Sequence, residues 1–562
     1  MNFKQNWGLI LAFDFIFSIS FSVGRRIIFG NSVWDVAAGS GFLPMNGSFI
    51  LDFVCCFIIF GLLLIAGLIV NFKVSKNALQ TSVPTTKKNM LLFFISLAVF
   101  VVCWLPYFLS CLPGGIYADT FSSIAQALAM DDLGWHALNN HHPILYTLMI
   151  RSVLLIADHL GKGTFWGLTL FTLVQYLGLA AALAYLYSWM YRHRIQLKII
   201  IPLIFFTAFF PLFPLYAVSV WKDTPFCIFL LLYILALGEL AFDRSTVRLR
   251  SLPYLIRLSL LSLLVAFSRN NGKYIVALVF IVLVIIQLRK LLQFKKMVCI
   301  FIATIAAIQV IQGPVYNHMG YNVDTATESL AIPIQQICYV VSHDYELTPE
   351  QTAYIETIAP ISEIKEYYIP SLFDSIKWYA PNFHISIIEQ DFKSFLSVYL
   401  QLLVAHPVAY IRAYLLETSG FWAVNIASMD GYIQNNVWTN SIGLEKYDLF
   451  QQLTGIDFQA MINQFAPISS AIFFWFLMYA AFIVIANRDW YKLLLLIAPF
   501  ANWLSIMIAT PLACSLRYVY ILVLMIPLDV MLIFSSHINP KLNGRNIDID
   551  SHIPKRLKGD SI

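Results

Sequence analysis

Residues 144–160 read ILYTLMIRSVLLIADHL, a run apolar enough to suggest a membrane crossing but carrying Arg151, Asp158 and His159. Counted as a crossing, it inverts every later loop and throws the basic connections outside; read as an amphipathic helix at the membrane interface, it leaves them on one inner side. The second reading is self-consistent. It predicts that the chain enters and leaves this stretch on the same face.

The composition sets the class around that stretch. Of 562 residues, 59% are apolar, 15% aromatic and only 12% charged, whereas soluble domains carry roughly 25% charged residues. A hydrocarbon core about 30 Å thick needs roughly 20 apolar residues per helix, and the runs 7–23, 49–71, 90–112, 165–190, 198–219, 225–242, 254–268, 274–288, 297–312, 467–486, 491–510 and 518–536 predict about 12 crossings. The expected fold is an all-α polytopic membrane protein, because only helical backbone satisfies its own polar groups in lipid. The first run carries Asp14 and lacks a small-residue cleavage site, which favours a retained helix over a signal peptide.

Lysine and arginine give the orientation. Lys73, Lys76, Lys87 and Lys88; Arg192, Arg194 and Lys198; Arg244, Arg248, Arg250 and Arg257; Arg289, Lys290, Lys295 and Lys296; and the tail's Lys541, Arg545, Lys555, Arg556 and Lys558 fall on one side. The positive-inside rule makes that side cytoplasmic, so a multi-pass plasma-membrane protein with both termini inside is expected. Arg25 and Arg26 are the exceptions. The net charge of +5 is dispersed, which argues against nucleic acid as a partner. Cys55, Cys56, Cys103, Cys227 and Cys299 lie in apolar runs without zinc-ligand spacing, as small packing residues do.

Residues 1–312 form the expected N-terminal transmembrane module, with an external loop at 113–163. Residues 313–466 form an external, mostly helical domain, 467–536 the C-terminal transmembrane helices and 537–562 a cytoplasmic tail. Thr348-Pro349-Glu350-Gln351 predicts a capping box with proline at the first helical position, and Asp391–Leu416 an amphipathic run.

The external loop holds the densest polar stretch, PGGIYADTFSSIAQALAMDDLGWHALNNHHP at 113–143, with Asp119, Asp131, Asp132, His136, His141 and His142. In the expected topology Lys222, Arg269 and Arg517 emerge on the same face. Each has a plain alternative: Lys222 snorkels, Arg269 binds head groups, Arg517 caps a helix. Asp119 equally suits a helix N-cap, and Asp131 and Asp132 a solvated turn with Gly134. Together, cations around a carboxylate suit an anionic, lipid-linked substrate.

PGGIYADT with Gln126, HHPILYT, WKDTPF, SRNNGKY, ESLAIPIQQI, HPVAYIRAYL and LRYVY resemble the motifs of a family of uncharacterised bacterial polytopic membrane proteins. That arrangement of early acidic loop, interfacial helices and large outer domain in turn resembles the GT-C superfamily of membrane glycosyltransferases. The resemblance implies transfer of a sugar from a polyprenyl-phosphate donor to an envelope polymer or lipid acceptor on the outer face. It implies Asp119 as the base, and Lys222, Arg269 and Arg517 as phosphate binders. Asp223, Asn270, Asn271, His141, His142 and Gln126 would contact substrate. A divalent metal, Mg or Mn, would have Asp119, His141 and His142 as its candidate ligands, although their spacing matches no established motif. A transporter or flippase of a lipid-linked or anionic substrate is the alternative, as is a lipid-linked glycan polymerase or ligase.

Overall fold

Apolar runs of this length have no way to satisfy their backbone in lipid except as helices, and the computed structural model is accordingly almost all α. It describes residues 3–29, 41–75, 84–139, 141–243, 247–320, 326–426, 436–465, 468–510 and 512–535. The first half contains α1 (Phe3–Gly24), α2 (Gly47–Ser75), α3 (Thr86–Leu109), α4 (Ala118–Leu133), α5 (Ile144–His159) and α6 (Thr164–Arg192). It continues with α7 (Leu197–Phe209), α8 (Leu212–Val218), α9 (Asp223–Asp243), α10 (Leu252–Ser268), α11 (Gly272–Ile286) and α12 (Lys295–Val310). The second half has α13 (Ala331–Ser342), α14 (Pro349–Ile358), α15 (Phe392–Ala405) and α16 (Pro407–Thr418), then α17 (Ser470–Ala486), α18 (Leu494–Ile508) and α19 (Ile521–Ser535). A two-stranded ribbon pairs Ile27 with Phe42 and Ile28 with Gly41.

Every one of the twelve apolar stretches lies on a helix, but not every helix is long. Among the described residues seven are long and apolar enough to cross a membrane, or up to nine if each of two bent pairs is one span. One bent pair is α7 with α8, at 53°. The other joins α15 to the segment from Pro407 to Phe421, at 106°. The stretch at Asp391–Leu416 is therefore two helices rather than one run, broken where Pro407 opens the second. The helices α10, α11, α17 and α19 are apolar but only 10–17 residues long.

The helix at 144–160 exists as α5, and the packing around it decides its role. The start of α3 meets the end of α6, where Ser188 Oγ donates to the Asn89 carbonyl at 3.3 Å, and midway the Tyr176 hydroxyl donates to the Val101 carbonyl. The two helices are antiparallel. The chain between Leu109 and Thr164 thus begins and ends at one end of the bundle, so α5 is not a single crossing. It packs on the first turns of α6 so closely that a Cβ on Gly167 would lie 3.2 Å from the Leu154 Cα.

Described basic residues from the connections gather at the opposite end. Arg192 and Arg248 both pair with Glu239, near the end of α9, Arg250 donates to Gln293 at 2.6 Å, and Lys492 reaches the Ser535 carbonyl at 3.1 Å. Arg26 and Arg25, the two exceptions, are held by Asp52 at 2.5 and 3.6 Å, which offsets their charge. Lys76, Arg244, the side chain of Lys290 and the tail from residue 536 lie outside the described residues.

The segment between α12 and α17 packs a core of its own, with Ile334, Ile337, Ile355, Phe373, Phe395 and Tyr410 buried together. The capping box is formed: Thr348 Oγ1 accepts from Gln351 N, and Gln351 Oε1 from Thr348 N. One edge of this segment is tied to the bundle. Ser371 accepts from Ala513 N at 2.9 Å, and Leu372 bridges to Leu512.

Candidate functional site

The PGGIYADT stretch is positioned by an extended backbone inserted between two other segments. Gly115 N donates to the Val218 carbonyl at 2.9 Å and its own carbonyl accepts from Val220 N at 2.8 Å. On the other side, Ile116 N donates to Asn436 O at 2.9 Å and its carbonyl accepts from Trp438 N at 3.0 Å. The approach is possible because residue 114 is glycine. It has φ +141°, and a Cβ there would sit 2.4 Å from Thr172 Oγ1 and 2.7 Å from Val220 Cγ2. Gln175, on α6, donates to the Ser219 and Ala217 carbonyls at 2.7 and 3.0 Å, which satisfies acceptors left over where α8 ends.

This splice carries the chain into α4 with Asp119 in its first turn. The N-cap is Tyr117 and makes no side-chain capping bond, so Asp119 is not the cap. The same splice places Lys222, which directly precedes α9, opposite that turn. The turn Leu516–Val519 before α19 delivers Arg517 from the far end of the sequence.

The three side chains meet. Arg517 Nη1 donates to Asp119 Oδ2 at 3.0 Å, and Lys222 Nζ lies 3.6 Å from the same oxygen. The guanidinium is also packed over Trp221 and Tyr518, 5.4 and 5.0 Å from the ring centroids. Burial by itself would raise the Asp119 carboxyl, but Lys222 and Arg517, helped by His142 and His141, outweigh it and hold the group well below the usual carboxylate range. Two cations, Lys222 and Arg517, thus share one carboxylate. Arg517 Nη2 also donates to the Tyr518 hydroxyl at 3.3 Å.

Other residues expected at the site are engaged elsewhere. Arg269 Nη1 is 2.8 Å from Asp223 Oδ1, with Asp223 fully buried and Arg269 nearly so, and it donates to the Tyr518 carbonyl at 3.2 Å. This buried ion pair braces the start of α9 against the end of α10. Asn271 donates to Asn502 Oδ1 and Ser505 Oγ at 3.2 and 2.8 Å, tying α11 to α18. Asn270 is exposed beside them. Gln126 Oε1 accepts from Asn139 N at 3.2 Å and so folds the loop back on α4.

The histidines and remaining acids divide between the site and its surroundings. His142 is buried and His141 half-buried, their rings edge to face at 4.9 Å, on the Asp119 side of the loop. Asp131 forms a two-pronged pair with Arg151, Asp132 is exposed, and His136 Nδ1 is 2.9 Å from the Gly320 carbonyl. Among the described residues no three His, Cys, Asp or Glu side chains gather as metal ligands would. Asp119, His141 and His142 as they stand do not fit a divalent ion, since Asp119 faces two cations.

The segment between α12 and α17 adds residues that no local signal exposes. Because Ser371 and Leu372 pair with the strand-like residues ahead of Arg517, Asp374 is brought within electrostatic reach of Asp119 and Arg517. Lys377, one turn further on, pairs with Glu328. In sequence, FDSIKW reads as ordinary surface helix, and only the long-range pairing at Ser371 gives it a place here.

No curated protein and no solved structure matches the chain. Residues 134–546, which include Lys222, Arg269, Asp374 and Arg517 but not Asp119, match a family of unknown function, DUF6020, and the chain belongs to that family.

Proposed function

We propose that this protein is a membrane glycosyltransferase of GT-C-like type, using a polyprenyl-phosphate-linked sugar and an envelope acceptor at the external face. In this reading all twelve apolar helices cross the plasma membrane and both termini are cytoplasmic. The observation that carries it is the convergence of Lys222 and Arg517 on Asp119 at one end of the bundle. In this reading both cations contact the donor phosphate, which the lipid brings to them from the bilayer.

The chemistry asks for two things. As the bond from the sugar C1 to the phosphate oxygen breaks, its electron pair leaves on the lipid phosphate, and fixed cations stabilise that charge. As the acceptor oxygen bonds to C1, its proton must go to a base. Lys222 and Arg517 meet the first need. Asp119 meets the second poorly, because a carboxylate held by two cations is a weak proton acceptor, so its better role is to hold Lys222 and Arg517 in register.

A transporter of the same lipid-linked substrate is favoured by two acids in the bundle. Asp14 lines an apolar cavity of about 590 Å³ between α1, α2, α17 and α19, and Asp529 is fully buried in α19. Purified protein in detergent separates the two readings. An enzyme moves sugar from polyprenyl-phosphate donors to acceptor in micelles, whereas a pure transporter gives no product without two compartments.

A further inference from the structure

Asp374 opens a short helix, Asp374–Tyr379, whose preceding residues are clamped to the chain that leads into Arg517. It is half-buried, and its carboxyl forms no hydrogen bond or ion pair with the described residues. It is nonetheless crowded by charge from every element around it. Glu328 and Lys377 face it from within the external segment, Asp119 and Arg517 from the bundle side, and the buried Glu417 of α16 from behind. Asp119 and Glu328 are ion-paired, and Glu417 is fully buried and accepts from Gln335, so Asp374 is the half-exposed carboxyl of this cluster without an ion pair among the described residues.

We propose that Asp374 is the proton-exchanging residue of the anion site, taking up a proton when a lipid phosphate binds between Lys222 and Arg517. This rests on reading those two cations as a phosphate site. The physical cause is direct: a bound phosphate adds negative charge beside a carboxyl that already faces Glu328 and Asp119. Burial, then Glu328, already push the Asp374 carboxyl up to about 6, with Lys377 opposing, Asp119 adding to the rise and Arg517 opposing it. Above that pH the ionised carboxylate repels the ligand; below it the neutral acid does not.

The test is the affinity of the purified protein for undecaprenyl phosphate in detergent at pH 5 and pH 8, in wild type, Asp374→Asn and Asp374→Glu. The probe's own second ionisation, near pH 6, acts on every variant alike, so the ratio of wild-type to Asn affinity is the quantity read. Wild type and Asp374→Asn should bind alike at pH 5, and at pH 8 the Asn variant should bind at least about tenfold tighter. Asp374→Glu should behave as wild type. Equal ratios at both pH values overturn the proposal while leaving the anion site standing. Absence of binding in wild type at any pH overturns the anion site and the proposal with it.

Discussion

Arg517→Ala is expected to weaken undecaprenyl phosphate binding roughly 10- to 100-fold, the loss of one charge-assisted hydrogen bond worth about 1.5–3 kcal/mol. The effect is large because the guanidinium is fixed in place. It is anchored on Asp119 at 3.0 Å and packed over Trp221 and Tyr518, so little ordering remains to be done when the phosphate arrives. Arg517→Lys keeps the charge but not the fork that reaches Asp119 and a second oxygen together, and should recover only part of the affinity. Titration of each variant in detergent measures this. Affinity unchanged in Arg517→Ala would remove the arginine from the site.

Asp223→Ala should have the largest effect on stability, about 3–5 kcal/mol, because it leaves the Arg269 guanidinium buried without its counter-charge. Thermal unfolding in detergent should show a drop that no single substitution at Lys222 or Asp119 matches. The double variant Asp223→Leu with Arg269→Met removes both charges and should recover much of the loss, since a packed apolar pair often replaces a buried ion pair at little cost. That variant also separates two roles for Arg269. As a brace, its removal with Asp223 leaves phosphate affinity unchanged; a loss as large as that of Arg517→Ala would return it to the phosphate site.

Helices were the legible part of this chain. Lipid allows no other use of long apolar runs, so each of the twelve stretches became helix, and Thr348 with Gln351 formed the capping box that their spacing announced. Lengths were less legible: α10, α11 and α17 are apolar but short, with Arg269 following α10 and Gly272 opening α11. Arg151, Asp158 and His159 argued against a crossing at α5, which is not among the helices long and apolar enough to span a membrane.

The site was legible in its residues and not in their pairing. Asp119, Lys222 and Arg517 were visible as charges at helix ends on one face, and they do meet. Arg269 carried the same sequence signal, but Asp223, fully buried in the first turn of α9, claims it. Asp374 had no signal at all. Its place depends on Ser371 pairing with Ala513 across more than a hundred residues, a contact that neither hydropathy nor motif spacing encodes.

The most direct measurement is an experimental structure of the protein with undecaprenyl phosphate bound. The account predicts phosphate density within hydrogen-bond reach, about 2.7–3.2 Å, of both Lys222 Nζ and the Arg517 guanidinium, on the side of Asp119 that faces Asp374. Phosphate bound instead at the opposite end, among Arg192, Arg248 and Arg250, with Lys222 and Arg517 still closed on Asp119, would contradict it.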